Sequence, residues 1–296
     1  MSSTSIPQPP FGLLLDVDGP IASPVTRHVD TPSIAEDISR MANAGIPVAF
    51  NTGRSLDFIA DRVIPPLVAA GLGEHARVYS IGEKGAVWAP ITPEGHRGSP
   101  QIDPEISLPT TFVAQMRELT ATEYAGRIFF DETKYTMVSL EMVPGIPFDD
   151  YFAAQATIDH QALDRLRKLG LGVTLVGDSD YPDAHGEIQV RIEPTVISTD
   201  IELVHTGKAL GARRALDAFA TSGPLPAVWY TAGDSPSDYA MADWLHAHDY
   251  QVTHLDVRPR GPVPEKPYRV ITHPGVFDDA SAAILLHDLA TGLGVH

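Results

Sequence analysis

Three short apolar runs, each followed directly by polar turn residues, constrain the fold of this 296-residue chain more than any other feature. They cover residues 11–15, 47–50 and 227–231. Short, continuously apolar runs are typical of strands that are buried on both faces of a parallel sheet. Segments with the apolar spacing of amphipathic helices lie between the strand-like runs. This alternation predicts an α/β fold with a doubly wound parallel sheet.

The middle of the chain has a different pattern, in which one helix and two strands occur twice in succession. The first set is a helix over about 111–124 with strands at 127–131 and 135–142, and the second is a helix over about 149–169 with strands at 173–176 and 187–192. This order predicts a small α+β domain with an antiparallel sheet. We therefore expect one parallel α/β domain formed by residues 1–83 and 196–296, interrupted by an inserted cap domain at 84–195.

Composition excludes several classes of function. The chain has 21 Lys and Arg against 38 Asp and Glu, a formal charge of -17, which opposes binding to nucleic acid or to anionic membranes. A phosphorylated substrate would then need a local cation at its site. The absence of cysteine excludes disulfides, thiolate nucleophiles and sulfur metal sites. Without a signal-peptide pattern or an apolar run of about 18 residues, we expect a cytoplasmic protein.

Polar side chains follow the strands that the sequence predicts for the parallel sheet. Asp16 and Asp18 follow the first strand, Thr52 follows the second, and Asp234 follows a later one. In open α/β sheets ligands bind at the carboxyl ends of the strands, so these groups are expected to converge. An aspartate-rich calcium loop does not fit, because Pro20 stands where a third ligand belongs. Carboxylates in this number suit Mg²⁺.

Further polar residues near these strand ends are candidates for supporting roles. Asp238 is a supporting acidic group, and Ser235 is a helix cap that would leave Asp234 available for a metal. Lys208 begins a helix, where the helix dipole disfavours a cation, so its position favours pairing with carboxylates and phosphate. The Thr52 hydroxyl can hold a phosphate oxygen. For Arg54 a substrate role and an ordinary turn role remain equally open.

Four segments, taken in order, resemble the four motifs of the haloacid dehalogenase-like hydrolase superfamily. They are Asp16-Val17-Asp18-Gly19, Asn51-Thr52-Gly53-Arg54, Gly207-Lys208 and Gly233-Asp234-Ser235-Pro236-Ser237-Asp238. The insertion resembles the cap of subclass IIB, which includes sucrose-phosphate, trehalose-phosphate and mannosyl-3-phosphoglycerate phosphatases and the Cof-type sugar phosphatases.

This resemblance implies a Mg²⁺-dependent phosphatase in which Asp16 attacks phosphorus and becomes an aspartyl-phosphate. Asp18 would protonate the leaving group and then activate water, and Mg²⁺ would be held by Asp16, Asp234 and the backbone carbonyl of Asp18. The phosphate oxygens would be held by Thr52, Gly53 and Lys208. The substrate would be a small metabolite, such as a sugar phosphate or a phosphorylated glycoside. A sugar phosphomutase and a non-catalytic binding or regulatory protein remain as alternatives.

The sequence departs from the family pattern at two positions, and the cap supplies further candidates. Pro20 stands where Thr is usual, and Lys84 stands where Asn is usual. Lys84 either brings positive charge to the substrate or is a solvated hinge residue. Alternation along one strand would place three polar side chains on one face, where they could bind the hydroxyls of a sugar or simply face solvent. These residues are Glu187, Gln189 and Arg191.

Overall fold

The computed structural model describes residues 8–92, 95 and 97–294. In chain order its strands are β1 (Gly12–Leu15), β2 (Val48–Asn51), β3 (Val78–Gly82), β4 (Val87–Pro90), β5 (Gln101–Ile102), β6 (Ile128–Phe130), β7 (Val138–Met142), β8 (Val173–Leu175), β9 (Asp180–Tyr181), β10 (Val190–Pro194), β11 (Ser198–Leu203), β12 (Val228–Gly233), β13 (Gln251–Asp256) and β14 (Arg269–Ile271). Its α-helices are α1 (Pro32–Asn43), α2 (Leu56–Arg62), α3 (Ile64–Ala69), α4 (Thr110–Glu123), α5 (Phe148–Lys168), α6 (Lys208–Ala220), α7 (Tyr239–Ala247) and α8 (Asp278–Gly292).

The described residues form two compact units. One contains the chain up to Gln101 and from Gly207 onward, and the other is Ile102–Thr206. The expected insertion at 84–195 therefore has different limits in the structure. Residues 84–101 stay with the first unit because β4 pairs antiparallel with β3. Residues 196–206 join the second unit because β11 pairs with β10 and β7.

The first unit is built on a sheet of strand order β14-β13-β12-β1-β2-β3-β4-β5. The six strands from β14 to β3 are parallel to their neighbours, and β1 lies between β12 and β2. Leu13 and Leu15 face a core built from α1, α2, α3 and α8, whereas Leu14 faces a second core with α6 and α7. Both faces of β1 are therefore buried, which is why its sequence is continuously apolar. The doubly wound parallel sheet is confirmed.

The second unit has a six-stranded sheet of order β6-β7-β11-β10-β8-β9. Its pairs are antiparallel except for β10 with β8, and α4 and α5 pack on it around a common core. The strand expected at 187–192 begins later, as β10, so Glu187 and Gln189 precede it. No helix in the described part of the chain combines the length and apolar character that crossing a bilayer requires.

Candidate active site

The predicted site residues follow strands that are paired in register. Leu15 at the end of β1 is aligned with Ala232 in β12 and with Phe50 in β2. The residues that come next, Asp16, Asn51 and Gly233, therefore reach the same edge of the sheet. Since these are the carboxyl ends of parallel strands, this edge is where a ligand site is expected.

A tight turn after β1 brings two acidic segments into contact. The backbone N–H of Val17 donates to Oδ1 of Asp16 at 2.7 Å, and the turn passes through Gly19 at φ +88°. A Cβ atom added at Gly19 would lie 2.6 Å from Cβ of Asp234, well inside van der Waals contact. Glycine is therefore needed here for both its left-handed backbone and its small size.

Lys208 is the buried cation of the site. Its Nζ lies 2.6 Å from Oδ1 of Asp16 and 2.6 Å from Oδ1 of Asp238, and it donates to the backbone carbonyl of Asn51 at 2.8 Å. Burial opposes a charged ammonium, but the two carboxylates outweigh it and raise the pKa of Lys208. The ammonium has three hydrogens, and these three partners can engage all of them. The direct phosphate contact expected for Lys208 stays a prediction, because its observed partners are carboxylates and a carbonyl.

Asp238 is the second carboxylate that binds the Lys208 ammonium group. It is fully buried, and its Oδ2 accepts hydrogen bonds from the backbone N–H and the hydroxyl of Ser235 at 2.9 and 2.8 Å. Burial alone would raise the pKa of Asp238, but Lys208 and Ser235 together lower it. Asp238 is therefore held ionised beside Lys208, and Ser235 supports it through the other carboxylate oxygen.

Three carboxylates form a cluster suited to a divalent cation. Ligand atoms of Asp16, Asp234 and Asp238 lie within 4.8 Å of one another. The pKa of Asp16 is raised above its ordinary value and that of Asp234 is raised to about 6, in both cases mainly by burial. The single positive charge of Lys208 therefore does not offset the cost of burying the negative charges of the cluster. Among the described residues, none donates a hydrogen bond to the Asp234 carboxylate. A hard cation such as Mg²⁺ fits this donor set, and the expected choice of Asp16 and Asp234 as its ligands stays a prediction.

Asp18 is paired with Arg54. The Nε and one Nη of Arg54 donate to the two carboxylate oxygens of Asp18, each at 2.9 Å, and both side chains are about one-third exposed or less. The guanidinium also lies 4.8 Å from the ring centroid of Phe58. Such a bidentate contact fixes the orientation of the carboxylate. The structure places Arg54 on the candidate acid/base, and a substrate role for it stays a prediction.

The segment after β2 presents Thr52 to the same edge. Thr52 is buried, and its hydroxyl oxygen accepts the backbone N–H of Arg54 at 3.1 Å, so its own O–H remains a donor for a phosphate oxygen. Ser55 caps α2 by accepting the N–H of Phe58 at 3.2 Å. A Cβ at Gly53 would lie 3.5 Å from Cε of Lys84. Lys84 therefore belongs to the first unit, and its side chain lies against Gly53, the residue after Thr52.

The polar residues predicted for the cap have partners within the second unit. Arg191 in β10 pairs with the buried carboxylate of Glu202 directly across in β11. The amide Nε2 of Gln189 donates to Asp183 at 2.7 Å, and the backbone N–H of Glu187 donates to the same carboxylate at 2.9 Å. The alternation expected along one strand is absent because Glu187 and Gln189 lie in the preceding loop. A role in reading the substrate stays a prediction for these residues.

Two residues of this sheet edge were missed by sequence reasoning. Asn51 is fully buried, and its side-chain amide donates to the backbone carbonyl of Lys208 at 2.9 Å, so the two residues exchange two hydrogen bonds. Asp256 ends β13 and is bound by Arg258 at 2.6 Å and by the hydroxyl of Tyr239 at 2.7 Å. A polar residue at the carboxyl end of a strand was the available signal for both.

Comparison with known proteins rests on solved structures, because no protein-family model and no curated protein matches the sequence. A haloacid dehalogenase-like hydrolase from Bacteroides thetaiotaomicron matches with a TM-score of 0.59 and 12% identity, over 94% of this chain and 99% of that one. The C-terminal domain of C. albicans trehalose-6-phosphate phosphatase matches with a TM-score of 0.58 and 13% identity, over 96% and 93%. This chain has the haloacid dehalogenase-like hydrolase fold. An Aspergillus fumigatus trehalose-6-phosphate phosphatase also matches, with a TM-score of 0.53 and 14% identity over 96% and 93%.

Proposed function

We propose that this protein is a Mg²⁺-dependent phosphatase that hydrolyses a phosphomonoester of a small metabolite through an aspartyl-phosphate on Asp16. The observation that carries the proposal is the buried carboxylate of Asp16 at the end of a central strand. It is bonded to Lys208 at 2.6 Å and clustered with Asp234 and Asp238. In a site of this kind a carboxylate can act as a nucleophile toward phosphorus.

Asp16 is prepared for attack by its neighbours. Lys208 and the N–H of Val17 both bind Oδ1, which orients the carboxylate and leaves Oδ2 to form the bond to phosphorus. Mg²⁺, held by Asp16 and Asp234, would neutralise charge on the transferring phosphoryl group when bound. The hydroxyl of Thr52 would donate to a further phosphate oxygen, where charge accumulates in the transition state.

Asp18 would serve both half-reactions, as acid for the leaving alcohol and as base for the water that hydrolyses the aspartyl-phosphate. Arg54 donates to both carboxylate oxygens of Asp18, a contact that would orient the group for the second half-reaction, in which it acts as a base. For the first half-reaction Asp18 must carry a proton. We therefore propose that substrate binding draws Arg54 away from Asp18 toward the bound phosphomonoester.

The proposed substrate is a sugar phosphate or a phosphorylated glycoside. Two of the structures that share this fold are named trehalose-6-phosphate phosphatases, and we extend that substrate class to this chain. We assign substrate selection to the second unit, Ile102–Thr206, because the candidate catalytic residues Asp16, Asp18 and Asp234 all belong to the first.

The proposal is tested by phosphate release from a panel of sugar phosphates and phosphorylated glycosides, with p-nitrophenyl phosphate as a small reference substrate. Activity should require Mg²⁺, disappear with EDTA, and fall by orders of magnitude in Asp16→Asn and Asp234→Ala. Asp243→Asn, which removes an exposed surface carboxylate, is the matched control. Full activity in EDTA or in Asp16→Asn would contradict the mechanism. Phosphorus NMR of the products separates hydrolysis from transfer to another hydroxyl, which a mutase would perform.

A further inference from the structure

The connection between β3 and β4 is a left-handed turn beside the site. Glu83, Lys84 and Gly85 have φ values of +48°, +54° and +93°. Left-handed backbone is unfavourable for residues with a side chain, and two such residues in a row are uncommon. Backbone strain of this kind persists only where surrounding structure enforces it, and it concentrates at functional sites.

The turn is enforced by hydrogen bonds to two of the segments that carry candidate site residues. The backbone N–H of Glu83 donates to the carbonyl of Arg54 at 3.0 Å, and that of Lys84 donates to the carbonyl of Thr52 at 3.0 Å. On the other side, the N–H of Gly207 donates to the carbonyl of Lys84 at 2.8 Å. Lys84 therefore joins the Thr52 segment to the residue that immediately precedes Lys208.

Close packing leaves the first turn of α6 little room to move independently of this connection. A Cβ at Gly85 would lie 2.5 Å from the backbone N of Gly211, and a Cβ at Gly211 would lie 2.0 Å from Oδ1 of Asn51. The Asn51 amide in turn binds the carbonyl of Lys208. A shift of the turn would thus be transmitted to Lys208 and to the end of β2.

We propose that Glu83–Gly85, which we name the strap, is a positioning element that sets the spacing between Thr52 and Lys208. Its key residue is Lys84, which acts through its left-handed backbone and two main-chain hydrogen bonds rather than through its ammonium group. This inference rests on the proposed phosphatase function, in which Thr52 binds phosphate and Lys208 orients the nucleophile. It gives Lys84 a role different from the substrate charge considered from the sequence.

The test compares Lys84→Val with Lys84→Asn. Both substitutions remove the ammonium group, but asparagine adopts left-handed backbone readily and a β-branched residue does not. With p-nitrophenyl phosphate and Mg²⁺, kcat of Lys84→Val should be about tenfold or more below that of Lys84→Asn, which corresponds to about 1.4 kcal/mol or more in the barrier. KM should differ by less than about threefold, because the strap acts on the geometry of the reacting groups.

Asp249 provides a matched control. It is exposed and has φ +64° in the connection between α7 and β13, so Asp249→Val and Asp249→Asn impose the same difference in backbone preference away from the site. This control pair should differ in melting temperature and not in kcat. Hydrogen exchange supplies a readout besides activity: the amide of Gly207 should exchange at least about tenfold faster in Lys84→Val than in Lys84→Asn.

If the wild-type protein is active, equal kcat values for Lys84→Val and Lys84→Asn, with the Gly207 amide equally protected in both, would overturn the strap proposal. If Lys84→Val does not fold, Lys84→Ala takes its place and should show an intermediate loss, and a kcat equal to that of Lys84→Asn would again overturn the proposal. A wild-type protein without Mg²⁺-dependent phosphatase activity would instead contradict the proposed function, whatever the Lys84 variants do.

Discussion

Replacing Lys208 by methionine removes the ammonium group that compensates two buried carboxylates, and it should destabilise the metal-free protein strongly. The Lys208, Asp16 and Asp238 side chains are 9%, 10% and 0% exposed. Methionine fills similar space without charge, so the effect isolates the lost ion pairs and the lost hydrogen bond to the carbonyl of Asn51.

The size of this loss follows from the carboxylate charge that stays buried without a partner. Removing one partner of a buried ion pair costs about 3–5 kcal/mol, because the other charge stays buried and unpaired. Alternatively Asp238 can fold as a neutral acid, which at pH 7 costs about 4 kcal/mol, since about three pH units separate that pH from an ordinary aspartate pKa. We therefore expect the free energy of unfolding to fall by about 4 kcal/mol.

The assay is urea unfolding at pH 7 in EDTA, repeated with Mg²⁺. Lys266→Met is the matched control, because Lys266 pairs with Asp243 at 2.7 Å while those side chains are 20% and 46% exposed, and loss of a surface ion pair costs about 1 kcal/mol or less. Mg²⁺ should restore part of the stability of Lys208→Met, because a bound cation replaces the missing positive charge. A loss in EDTA no larger than that of Lys266→Met would contradict a stabilising role for the buried Lys208 ion pairs.

Three further predictions follow from individual contacts. Asp18→Asn should release up to about one equivalent of nitrophenolate from p-nitrophenyl phosphate and then stall with phosphate on Asp16. Rapid quench and peptide mass spectrometry would detect this adduct, and sustained turnover without an adduct would contradict the role of Asp16. Gly19→Ala should weaken Mg²⁺ binding in calorimetry at least about tenfold, because its Cβ would displace Asp234, and unchanged affinity would argue against that site. Burial lowers the pKa of His254 from 6.5 to about 4, so between these pH values the unfolded chain binds more protons than the folded one. As the pH falls from 6.5 to about 4, the free energy of unfolding of wild type should therefore drop by about 3 kcal/mol relative to that of His254→Asn. Parallel pH profiles of the two free energies would count against this.

The parallel core was predictable because its evidence is local. A strand covered on both faces must be apolar throughout, as Leu13, Leu14 and Leu15 are, and they divide between two cores. β11 was missed for the opposite reason: it contains the buried polar residues Thr199 and Glu202. Their burial depends on partners such as Arg191 across the sheet, and these partners are not visible in the strand's own sequence.

The residue types at the strand ends can be read from the sequence, and they predict that Asp16, Thr52 and Asp234 lie at one edge of the sheet. How the charges pair depends on the folded chain. Arg54 binds Asp18 across 36 positions, and Lys208 and Asn51 exchange hydrogen bonds across 157. Such contacts depend on which side chains the folded chain brings within about 3 Å of each other, a distance that linear spacing does not encode.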